Sequence, residues 1–166
     1  WDKRFREALN LAMNRKEIID SLYNGLAEPV KLIHGEYNPA KANQLLDSMG
    51  LNKRDSEGWR LRPDGKRMEL LIETSGAGAD WIPLCELLVE YWKNIGIYTT
   101  MKRVDSSLLN ERVRANQTQV LVNSWLDIIV IRNNPYMIDW VLINDPNKLS
   151  IGFYDWFTSG GKKGLE

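Results

Sequence analysis

The sequence predicts an α/β fold: a mainly parallel sheet flanked by helices and preceded by a helical segment. Three observations lead there. Between positions 68 and 125 the apolar pattern alternates strand, helix, strand, helix, strand, which implies parallel pairing with right-handed crossovers. The first fifty positions carry helical spacing almost throughout. Capping residues and glycine stops fall at the expected boundaries. At 166 residues the chain is long enough to bury one sizeable core.

The elements follow in order. Phe5, Leu9, Ala12 and Met13 recur at helical spacing, and Asn14 is a good N-cap for a second helix carrying Ile18, Ile19 and Leu22. Gly25 ends that helix, and Ala27-Glu28-Pro29 begins an extended connection. Asn38-Pro39 signals a third helix with Ala42, Leu45, Leu46 and Met49 on one face and Gly50 at its stop. Asp55-Ser56-Glu57-Gly58 and Pro63-Asp64-Gly65-Lys66 are turn chemistry bracketing a short strand from Trp59 to Leu61. Met68 to Thr74 reads as a buried strand. A helix follows from about Asp80 to Asn94, its inner face formed by Leu84, Leu87, Leu88, Tyr91 and Ile95, with Gly96 as its stop. Ile97 to Val104 is the next strand, Ser106 to Arg114 a short helix, and Gln119 to Trp125 the third strand. Beyond Asp127 lie turns at Asn133-Asn134-Pro135 and Asn144-Asp145-Pro146-Asn147, then a tail, 158–166, of flexible composition. The expected organisation is one domain over 1–166.

Composition narrows the function classes. Lys+Arg 22 against Asp+Glu 22 leaves no net charge, so nothing favours nucleic acid or an anionic membrane surface. No apolar run is long enough to span a bilayer. The chain has no initiator Met and opens inside a helix, and it reads as a piece of something longer. Cys85 is the only cysteine, so an internal disulfide is impossible. His34 is the only histidine, which argues against a metal site or a catalytic triad. No cofactor and no catalysis are expected. Seven Trp are many for this length. Most are expected to fill the core or an interface, and a minority to wall a cleft, where indole offers flat area at low entropic cost.

The order of residue types carries more. Asp2 to Arg15 resembles the D-x-R-x-R-x-A-L-x-x-A-x-D-R segment of the family 5 extracellular solute-binding proteins, with Asn14 where that pattern has Asp. Tyr37 to Leu51 is similar to the family's Y-D-P-x-K-A-x-x-L-L-x-x-x-G segment, and the paired D-x-x-G and P-D-G-K turns follow at the matching place. Tyr154 to Glu166 is similar to a W-x-x-W-Y-x-T-G-G-K-x-G-E segment in one branch of the family. The resemblance implies one lobe, the C-terminal one, of a two-lobed protein with the type II periplasmic-binding-protein fold. It further implies capture of a small solute, oligopeptide or oligosaccharide, between the lobes. The implied partners are the missing N-terminal lobe and the permease subunits of an ABC importer, and the implied location is periplasmic or extracytoplasmic, membrane-anchored.

Candidate site residues lie beyond the carboxyl ends of the parallel strands, where open α/β sheets bind ligands. Ser75, Gly76 and Gly78, in the loop before the Asp80 helix, offer backbone N–H groups and a helix dipole to an anion or carbonyl. The alternative is a plain connector; the glycines lack nucleotide-fingerprint spacing. Asp105 also follows a strand, but Asp105-Ser106 is an excellent N-cap. Asn123, Trp125 and Asp127 form the third loop. The resemblance implies a Trp here followed by an acidic residue that, in peptide binders, pairs with the ligand's amino terminus. The spacing is W-x-D where those binders show W-x-x-D, so Trp125 ranks above Asp127 as a ligand contact. Trp81, Trp125, Trp140 and Trp156, with Asn123 and Asn133, offer stacking faces and amides to a sugar, the rival solute. An α/β enzyme and a signalling module retaining the receptor fold are the readings of other classes. Cys85 reads as a small hydrophobe, and Glu86, Glu90 and Lys93 as a solvated helix face.

Overall fold

The computed structural model of the chain describes residues 2–27, 36–122 and 159–163. Asp2 caps α1 (Lys3–Leu11), accepting from the Arg4 amide at 2.8 Å. Asn14 caps α2 (Arg15–Tyr23), accepting from the Glu17 amide at 3.2 Å. Two left-handed residues, Asn24 and Gly25, end α2, and the Gly25 N–H closes back on the Ile19 carbonyl at 3.0 Å. Asn38 caps α3 (Pro39–Ser48) through the Lys41 amide at 3.0 Å, with Pro39 opening the helix as expected. Helices α1 and α3 pack together through the fully buried Ala8 and Ala42, and the Asn38 N–H bonds to the Leu11 carbonyl at 2.8 Å.

The stretch from 52 to 68 corrects one expectation. No strand forms from Trp59 to Leu61; the segment makes only isolated antiparallel bridges, Arg54 with Arg60 and Leu61 with Arg67. The backbone partners are scattered: the Arg60 N–H donates to the Gly96 carbonyl at 2.7 Å, the Leu61 N–H to the Lys53 carbonyl at 2.8 Å, and the Met68 N–H to the Arg60 carbonyl at 2.7 Å. The Arg60 side chain, 1% exposed, anchors the segment. Its Nε donates to the Ile95 carbonyl at 2.7 Å, its Nη1 to Asp47 at 2.6 Å and to the Leu51 carbonyl, and its Nη2 to the Asn43 side chain at 2.7 Å. One guanidinium thus satisfies carbonyls at the ends of two helices. Gly96 makes room for it: φ is +84°, and a Cβ there would lie 2.1 Å from Arg54 Nη1 and 3.1 Å from Arg60 Cγ.

Three parallel strands, β1 (Glu69–Thr74), β2 (Tyr98–Arg103) and β3 (Val120–Leu121), lie in the order β2-β1-β3. Glu69 pairs with Tyr98 and Thr74 with Arg103, while Ile72 pairs with Val120. Helix α4 (Trp81–Asn94) connects β1 to β2, and α5 (Ser106–Arg114) connects β2 to β3. The core gathers Leu70, Ile72 and Val122 from the sheet with Ala8, Leu11, Leu46 and the buried face of α4. Leu88, Tyr91 and Ile95 are buried as expected, joined by Cys85 and Trp92, while Leu84 and Leu87 are half-buried against the core. Helix α4 serves the helical segment as well as the sheet: Trp92 Nε1 donates to the Leu9 carbonyl at 3.1 Å and the Tyr91 hydroxyl to the Asn14 carbonyl at 3.4 Å. In the tail, Ser159 Oγ accepts from the Lys162 and Lys163 amides at 3.1 and 2.8 Å, closing a turn.

Candidate functional site

The strand order sets the place. The chain leaves β1 toward β2 and then crosses back over β1 to β3, so β1 lies between the other two strands. In open α/β sheets ligands bind beyond the carboxyl ends of the strands. The loop after β1 carries Ser75, Gly76 and Gly78 to that end. Asn123, Trp125 and Asp127 follow β3 in sequence and lie outside the described residues; so do Asn133, Trp140, Trp156 and His34.

The first loop is pinned on three sides. Gly76 and Ala77 N–H groups donate to Thr74 Oγ1 at 3.2 Å and Ser75 Oγ at 3.4 Å. Arg103 Nε, at the end of β2, donates to the Ser75 carbonyl at 3.1 Å. At the far end Asp80 occupies the α4 N-cap position without a side-chain capping bond; its carboxylate instead accepts the Tyr23 hydroxyl from α2. That bond, with lesser help from burial, pushes the Tyr23 hydroxyl up to about 12. The glycines have separate reasons. Gly76 has φ +65° and lies under Arg103, whereas a Cβ on Gly78 would fall 2.4 Å from Trp81 Nε1. Trp81 itself is half-buried against the core.

Between β1 and α5 is a pair the sequence reading missed. Glu73 is 1% exposed, the Val122 N–H donates to its carbonyl at 3.1 Å, and Arg112 of α5 grips its carboxylate through Nε at 2.8 Å and Nη2 at 3.2 Å. The available signal was an acid inside an otherwise apolar strand, Leu70-Leu71-Ile72-Glu73. Asp105 caps α5, accepting from the Ser107 and Leu108 amides at 2.9 and 3.3 Å, and Glu90 pairs with Lys93 at 3.7 Å on the solvated face of α4. Cys85 is fully buried, and burial, with Glu86 second, pushes its thiol up to about 11, which leaves it an inert packing group. Among the described residues no group of His, Cys, Asp or Glu is arranged to hold a metal, and no helix is long and apolar enough to cross a membrane.

A concavity of about 560 Å³ lies at the amino edge of the sheet, between Phe5, Met49, Leu51, Pro63, Met68 and Leu70. Its size suits a ligand, but strand-end geometry favours the carboxyl edge as the solute site.

Comparison with known proteins agrees with this α/β fold. Residues 1–143 match the family model described as bacterial extracellular solute-binding proteins, family 5 middle. A solved oligopeptide-binding protein OppA superposes with a TM-score of 0.80 at 32% identity, over 99% of this chain and 29% of that one. The oligopeptide-binding protein AppA of Bacillus subtilis is 26% identical over 127 residues, 68% of this chain and 23% of its own length. A periplasmic binding protein of Agrobacterium fabrum solved with stachyose shares the fold, with a TM-score of 0.64 and 23% identity over 74% of this chain and 21% of that one. The chain therefore spans less than a third of the length of these relatives.

Proposed function

The chain belongs to the family 5 bacterial extracellular solute-binding proteins, and from that premise we propose that it supplies one lobe of the substrate-binding component of an ABC importer. The family is one of solute-binding proteins rather than enzymes, and in this reading the chain captures an oligopeptide-like solute without transforming it. The observation that carries the reading is the family match over 1–143, supported by the likeness to two oligopeptide-binding proteins. The chain corresponds to the C-terminal lobe, its solute enclosed against an N-terminal lobe, with closure biased by contacts made only in the closed state. The proposed contacts are Ser75, Gly76 and Gly78 from the loop after β1, and Asn123, Trp125 and Asp127 from the segment after β3. Trp125 is the principal one, since an indole face covers either a peptide backbone or a sugar ring. The partners are the importer's permease subunits, and the location is extracytoplasmic, with a membrane anchor.

An oligosaccharide is the rival solute, favoured by the stachyose-bound relative and the tryptophan content. Titration calorimetry of the full-length polypeptide with penta-alanine and with stachyose separates the two. Binding of penta-alanine with no heat from stachyose supports the peptide reading; the reverse overturns it in favour of the sugar.

A further inference from the structure

We infer that Arg103 receives a carboxylate of the captured solute at the edge of the Ser75–Asp80 loop; the inference rests on the oligopeptide reading and narrows it. Arg103 ends β2 in register with Thr74, the last residue of β1, so it stands at the carboxyl edge of the sheet. Its Nε is tied to the Ser75 carbonyl at 3.1 Å, which lays the side chain across the loop while leaving it exposed. The loop is shaped for this: a Cβ on Gly76 would meet Arg103 Nε at 3.1 Å and Cδ at 3.4 Å.

The carboxylates at this edge are committed to other partners. Among the described residues Arg103 has no carboxylate within ion-pair distance, and the acids near the strand ends are engaged. Glu73 is held by Arg112, Asp80 by Tyr23, and Asp105 by the amides of α5. The Gly76 and Ala77 amides already donate to Thr74 and Ser75, and among the described residues the terminal N–H groups of Arg103 have no acceptor, so they are open donors at this corner. A guanidinium held by Nε with both Nη groups free presents the planar fork that a carboxylate accepts bidentately. An oligopeptide supplies that group from its C-terminus or an acidic side chain, and a neutral sugar supplies neither.

The test is titration calorimetry of the full-length polypeptide with penta-alanine, penta-alanine amide, and the amide of a pentapeptide with glutamate at its centre. The expected result is a roughly tenfold or greater loss of affinity on amidation. That loss shrinks to under about twofold in Arg103→Gln and is partly restored in Arg103→Lys, with unchanged melting temperatures. Recovery of affinity by the glutamate peptide would assign the contact to a side-chain carboxylate; no recovery would assign it to the C-terminus. Equal affinity for acid and amide in the unaltered protein, with no gain from the glutamate peptide, would overturn the inference while leaving the peptide reading intact. Absence of all peptide binding would overturn both.

Discussion

Arg112 of α5 holds the buried carboxylate of Glu73 with two N–H groups, at 2.8 and 3.2 Å, directly beneath the point where β3 pairs with β1. The pair fastens the second crossover helix to the central strand at the carboxyl edge of the sheet. Removing the cation leaves a carboxylate buried without its partner. Because Arg112 is about a third exposed, water reaches part of the site and the penalty is smaller than for a fully enclosed pair. Arg112→Met is expected to lower stability in urea unfolding, and Glu73→Gln with Arg112→Met together to cost less than Arg112→Met alone.

Arg60 is the more critical cation. Its donors satisfy the carbonyls of Ile95 and Leu51 and the side chain of Asn43 from a position 1% exposed. Arg60→Met would orphan those acceptors in the interior, at about 1–3 kcal/mol for each group. A loss of roughly 4 kcal/mol, or failure to fold, is expected. Arg60→Lys should rescue little, since one ammonium cannot span the four directions of the guanidinium.

Tyr23 and Asp80 tie α2 to the loop at the strand ends, and the bond requires the hydroxyl proton. The folded state raises the Tyr23 ionisation to about 12, above its unfolded value near 10. A raised acid contributes stability that is complete below the unfolded value and is lost as pH climbs toward the folded one. Chemical denaturation at pH 9 to 12 should therefore show a fall in stability that Tyr23→Phe lacks. Parallel profiles for the two proteins would contradict the assignment.

Local chemistry made much of this fold legible. Asn14, Asn38-Pro39 and Asp105 announce helix starts, and each caps as its type suggests. The three parallel strands follow from the alternation of apolar runs with helical spacing. Arg60 was not legible, because an arginine between two polar turns reads as solvated. Its burial comes from carbonyls up to 35 residues away, brought together only when α3 and α4 are placed. The buried face of α4 was partly misread for a similar reason. Trp92 turns inward to meet the Leu9 carbonyl, a partner that helical periodicity cannot reveal. At the candidate site, the loop after β1 was visible from its glycines. Arg103, Tyr23 and the Glu73–Arg112 pair depend on tertiary neighbours and left little trace in the local pattern.

For Trp125, binding and folding should separate. As a central ligand contact, Trp125→Ala in the full-length polypeptide weakens solute binding by roughly 2 kcal/mol or more and leaves melting nearly unchanged. A core tryptophan would instead cost about 3–5 kcal/mol of stability. Unchanged affinity with a large drop in melting temperature would remove Trp125 from the site.

The central claim is non-catalytic capture of an oligopeptide between this lobe and another. Native mass spectrometry of the full-length polypeptide, incubated with penta-alanine and compared with the 166-residue chain alone, tests it most directly. The full-length polypeptide should hold one peptide, released at unaltered mass, while the isolated chain, with half the contacts, holds none. Tight binding by the isolated chain, or release of a cleaved peptide, would contradict the account.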